Sequence, residues 1–158
     1  MVEPIIKNPI KKKDLLGFGR QKPQPAMQGP VEIIRASAQK EQPGVDPEMI
    51  VRQIGALVQR KAIQLLQIGS TVFLVRTIAP GTAEFHTFTV EPPEALVDRY
   101  KAGSNSLKQM GYKKAVSYAQ SLAFAKIAQQ TGLPVKVTQT QRMMQGKPVR
   151  TYQFEVDL

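Results

Sequence analysis

At 158 residues the chain is long enough for one domain with a segment to spare. Twenty-two Lys and Arg face 12 Asp and Glu, a net charge of +10 that points to polyanionic or acidic partners. With no Cys and one His, disulfides, thiolate chemistry and a Cys- or His-rich metal centre within one chain are excluded.

No apolar run approaches the ~20 residues of a bilayer span. No apolar core follows the charged N-terminus as a secretory signal would require. A protein made and used in a cytoplasm, or assembled there, is the expectation.

Residues 1–44 read as an extended arm. Pro4, Pro9, Pro23, Pro25, Pro30 and Pro43 interrupt them, and their short apolar patches cannot offset the entropy of ordering the segment alone. Ile5, Ile6, Ile10, Leu15, Leu16, Phe18, Ile33 and Ile34 are beads that a solvated linker would not need, and so are candidate docking points on a partner. Lys11, Lys12, Lys13, Arg20 and Lys22 are candidate phosphate contacts.

A compact domain is expected over residues 45–158. Asp46-Pro47-Glu48 opens a helix, with Asp46 as N-cap and Pro47 in the first turn. The stripe Ile50, Ile54, Leu57, Val58, Ala62, Leu65, Ile68 has helical period, which carries the helix to a cap at Gly69. Thr71 to Ile78 and Glu84 to Val90 read as a hairpin about the turn Ala79-Pro80-Gly81-Thr82. Pro92-Pro93 then leads into a short helix over 94–102, and Gly103-Ser104-Asn105-Ser106 reads as a loop.

The run 112–131 is expected to form the central helix. Ala115, Val116, Tyr118, Ala119, Leu122, Ala123, Phe124, Ala125, Ile127 and Ala128 cover most of its circumference, and alanines favour helix. Gly132 and Pro134 end it. Val135 to Met143 and Val149 to Val156 form a second hairpin about Gln145-Gly146. The expected fold is therefore α+β, a two-layer sandwich: a four-stranded antiparallel sheet of two hairpins, two long helices, one short helix and the arm.

Catalytic signatures are absent. His86, the single imidazole, sits mid-strand and reads as an ordinary strand residue. Glu91, Glu94 and Asp98 fall where helix capping explains them. Gly17-Phe18-Gly19 is too short for a dinucleotide fingerprint, and there is no phosphate-binding loop.

Gly111-Tyr112-Lys113-Lys114-Ala115, with Ala119 and Ala123, resembles the start of the last helix of double-stranded-RNA-binding domains, where a basic pair grips phosphates. The likeness covers about a dozen residues, and the element order differs from that family. Lys108, Lys113 and Lys114 remain candidate phosphate contacts.

The expectation from sequence is a non-enzymatic structural subunit of a large assembly, a phage or viral virion component. It would be assembled in a host cytoplasm, with its arm docked on neighbouring subunits present in multiple copies. No cofactor, catalytic residue, metal or membrane is implied. The alternative is a small basic nucleic-acid-binding protein.

Overall fold

The computed structural model describes residues 29–158, except Gln145 and the side chain of Met144. Ile5, Ile6, Ile10, Leu15, Leu16, Phe18, Lys11, Lys12, Lys13, Arg20 and Lys22 lie outside the described residues.

Helix α1 spans Pro30–Glu41 and α2 Pro47–Gln59. Strands β1 (Gln64–Ile68), β2 (Thr71–Ala79) and β3 (Thr82–Thr89) follow, then α3 (Pro93–Gln109). Strand β4 (Lys114–Ala119), helix α4 (Ala123–Gln129), β5 (Val135–Met144) and β6 (Lys147–Asp157) complete the chain.

The strands form one six-stranded sheet in the order β1-β2-β3-β4-β6-β5. β3 and β4 are parallel, and every other neighbouring pair is antiparallel. The expected four-stranded antiparallel sheet with three helices is thus corrected to a six-stranded mixed sheet with four.

The two added strands come from segments that read as helix. Local signals at the start of α2 hold: Asp46 Oδ1 accepts the Glu48 N–H at 3.1 Å and Pro47 fills the first turn. The helix stops at Gln59, where Lys61 takes a left-handed φ of 59°. The apolar residues beyond it form β1, paired to β2 from Gln64↔Val75 to Ile68↔Thr71. Gly69, expected as a helix cap, instead turns this hairpin with φ 62°, and the Arg99 guanidinium packs where a Cβ would stand.

β4 replaces the first half of the expected central helix. It lies between β3 and β6, so pairing on both edges outweighs the helix propensity of its alanines, worth at most ~0.7 kcal/mol per residue over other ordinary residues. A strand buried on both faces gives a continuous apolar run, which periodicity alone cannot separate from a buried helix. The surviving helix, α4, is short. The Ser121 hydroxyl accepts the Ala123 N–H near its start at 3.3 Å, and Gly132 follows with φ 84°.

α3 runs through the stretch expected as a loop. Gly103 is buried against the Phe73 ring, whose nearest carbon would lie 3.1 Å from an added Cβ. The glycine therefore lets the helix approach the sheet.

Two cores result. On one face α3, with Leu107, and α4 cover Phe73, Val75, Phe85, Ala115, Phe154 and Val156. Edge-to-face rings tie this core together: Phe73–Tyr100 at 5.6 Å and Phe85–Phe154 at 5.7 Å. On the other face α1 and α2 pack Ile33, Ile34 and Ile54 onto Val72 and Phe88. Ile33 and Ile34, docking candidates from sequence, are 0% and 2% exposed here, and the described compact part begins at Pro30 and not Val45.

Candidate active site

β3 and β4 are paired only over Thr82↔Lys114, Ala83↔Ala115 and Glu84↔Val116. Beyond that the two parallel strands part. The next rung is a side-chain bond: Ser117 Oγ donates to the Phe85 carbonyl at 2.8 Å. Strand alternation points the peptide groups of Phe85, Thr87 and Thr89 away from β2, and those of Tyr118 toward β3. At the far end Ser37 of α1 accepts the Thr89 N–H at 3.2 Å. Thr87 and Tyr118 therefore present backbone edges to the gap.

The gap opens into a cleft of about 740 Å³. Its floor and walls include Glu84 and His86 of β3, Tyr118 of β4, Arg142 of β5, Thr151 of β6 and Glu41 at the end of α1. Two features create it: the parted strands, and a sheet face on which α1 packs over β2 and β3.

His86 shares a face with Glu84 and Phe88, and its ring sits 4.7 Å from that of Phe88. The ring is reachable by solvent through the cleft yet hemmed in by protein. That crowding lowers its pKa from the usual 6.5, with Glu84 opposing weakly. The imidazole is therefore neutral at pH 7. Glu84 is engaged by Arg76 at 2.6 Å. Burial raises the Glu41 carboxyl above its ordinary value, with Lys40 pulling the other way. On the opposite wall the Arg142 guanidinium lies 4.3 Å above the Tyr118 ring.

Behind β3, Thr87 Oγ1 and the Tyr100 hydroxyl are 3.0 Å apart, and burial holds the phenol well above its ordinary pKa, so it stays protonated. The link from β3 to α3 is also closely held. Arg99 grips Glu91 through both oxygens at 2.9–3.1 Å, and Glu91 accepts the Thr71 hydroxyl at 2.8 Å and the Ser70 N–H at 3.0 Å. Burial alone would raise this carboxyl, but the four donors outweigh it and hold it below the usual range.

The lysines singled out from sequence lie elsewhere. Lys108 is in the last turn of α3; Lys113 and Lys114 both donate their backbone N–H to Gly81 at the closed end of the β3–β4 pair. Lys114 is further paired with Glu155 at 3.5 Å. The structure brings none of these lysines into the cleft lining. His86, read as an ordinary strand residue, is in it.

No protein-family model matches the sequence, and no curated protein matches it. Solved structures do share the fold. An acetyltransferase from Bacillus subtilis in complex with CoA superposes with a TM-score of 0.52 at 11% identity, over 80% of this chain and 92% of the other. An IAA acetyltransferase from Bacillus cereus gives 0.52 at 16%, over 82% and 96%. A ribosomal-protein-alanine N-acetyltransferase from Brucella melitensis gives 0.56 at 8%, over 81% and 91%. The sheet and helix order is that of the GNAT acetyltransferase fold.

These findings correct the expectation of a non-enzymatic structural subunit in a virion, docked on neighbouring subunits or binding nucleic acid. The three structures named above are acetyltransferases. The expectation rested on charge and on missing motifs, but a site made from parted strand edges leaves no motif. Among the described residues no helix is long and apolar enough to cross a membrane, and no group of three His, Cys, Asp or Glu could hold a metal.

Proposed function

We propose that this chain is an acyltransferase that moves an acyl group from a thioester to an amine in the cleft between β3 and β4. The observation that carries the reading is the parting of this parallel pair directly beside the single imidazole. The shared fold supports it, since the structures named above are of acetyltransferases, one of them in complex with CoA.

The parted edges suit a linear amide-bearing arm, because Thr87 and Tyr118 can extend the ladder to it as a sheet does to an added strand. Attack by the neutral form of the amine breaks the thioester C–S bond and forms a C–N bond; the nitrogen gives up one proton, and the departing thiolate takes up one and leaves as the free thiol. His86, neutral at pH 7, is the base that takes the proton from nitrogen. Glu41 at the mouth favours a cationic amine, and the Arg142–Tyr118 pair limits the opposite wall.

The test is direct: the purified chain is mixed with an acetyl thioester and a panel of polyamines, amino acids and peptides, and products are read by mass spectrometry. Acetylated amine formed with matching thiol release supports the reading. Background rates with every acceptor and donor refute it.

A further inference from the structure

The end of α3 lies at the open mouth of the gap, because α3 starts four residues after the last residue of β3. A thioester carried on coenzyme A would bring a diphosphate to such a helix end, where free N–H groups and small residues normally receive it. This end offers the reverse. Pro92 and Pro93 occupy the cap and first position and carry no N–H. Ala95 directs its own N–H to the Pro92 carbonyl at 3.0 Å. Glu94 adds a carboxylate in the first turn, and Glu91 is a second, locked in place by Arg99, Thr71 and Ser70. No glycine occurs between Gly81 and Gly103, so the connection cannot fold into a nest of backbone donors. The one cation at the connection, Arg99, is already committed to Glu91. The diphosphate does not fit.

We infer that the chain recognises its acyl donor through the linear thioester arm alone, and that the α3 end selects against a diphosphate-bearing carrier. This rests on the acyl-transfer reading and deepens it. The donor class is a pantetheine-type thioester whose carrier places no diphosphate on α3. The specificity-determining residues are Pro92, Pro93 and Glu94, all exposed, so they can be changed without disturbing either core.

The experiment compares acetyl-CoA with acetyl-pantetheine, both as donors in turnover and as titrants in calorimetry, and adds adenosine 5'-diphosphate as a competitor. The expected result is that acetyl-CoA is the poorer donor and the weaker ligand, by several-fold in kcat/KM and in Kd, and that millimolar adenosine 5'-diphosphate leaves acetyl-pantetheine turnover and binding unchanged. The variant Pro93→Ala with Glu94→Gln restores one donor and removes one charge. It is expected to tighten acetyl-CoA binding several-fold while leaving acetyl-pantetheine unchanged. Parity between the donors or a preference for acetyl-CoA in the wild type, or competition by adenosine 5'-diphosphate, overturns this inference while leaving acyl transfer intact. Failure of both donors to bind or react overturns the acyl-transfer reading itself, and this inference with it.

Discussion

Replacing Ile33 with Ala tests whether α1 belongs to the folded unit. Ile33 is 0% exposed and packs with Ile34, Ile54, Val72 and Phe88 between α1 and the β2–β3 face. The change removes three carbons. At about 0.8 kcal/mol each, the transfer loss is roughly 2.4 kcal/mol, and the cavity left behind takes the total toward the 2–5 kcal/mol range of such truncations. Against a whole-domain stability of about 5–15 kcal/mol this is a large fraction. With a urea m-value of about 1–3 kcal/mol/M, the midpoint should fall by about 0.7 M or more. Val31, on the same helix but 42% exposed, is the control: Val31→Ala should move the midpoint by a few tenths of a molar at most. Urea unfolding followed by circular dichroism reads both. Equal midpoints for Ile33→Ala, Val31→Ala and wild type would refute the placement of α1 in the core.

Four further outcomes are expected. His86→Gln should lower kcat by about a hundredfold or more with little change in melting temperature, as loss of a general base does. In the wild type the rate should fall with decreasing pH only below 6.5, because burial lowers the folded pKa and the neutral ring is the active form; a rate still rising above pH 7 would assign the base to another group. Glu91 has a folded pKa below its ordinary 4.5, so the unfolded chain binds its proton first as pH falls. The stability it contributes is therefore present above about pH 4.5 and lost below it, and Arg99→Ala should flatten this part of the pH–stability curve in chemical unfolding. Gly103→Leu should destabilise by about 1–3 kcal/mol in the same assay, since the Phe73 ring occupies the space a side chain needs.

Signals that act within a few residues were legible in the sequence. Asp46 and Pro47 start α2, Gly81 turns the β2–β3 hairpin, Pro92 and Pro93 start α3, and Gly132 follows α4. What long-range pairing decides was not. Residues 114–119 are rich in alanine and apolar on both faces, and only β3 and β6 on either side make them a strand. Residues 64–68 continue a helical stripe, yet they pair with β2. Pro30 and Pro43 made 30–41 resemble the segment before it, although a proline suits the first turn of a helix, and Glu32 beside Ile33 and Ile34 was the available signal. The cleft left no motif because its donors are peptide groups exposed by two strands parting after residues 84 and 116. For His86 the sequence shows its strand neighbours but not Tyr118 and Arg142 lining the same cleft.

Backbone amide NMR with a non-reactive thioether analogue of acetyl-pantetheine tests, residue by residue, whether the gap between β3 and β4 holds the acyl donor. Saturable shift changes centred on residues 85–89 and 116–121 are expected, with the amides of Thr87 and Tyr118 gaining protection from exchange. Changes confined to Lys108, Lys113 and Lys114 at the closed end of the strand pair, or no change at saturating analogue, would contradict it.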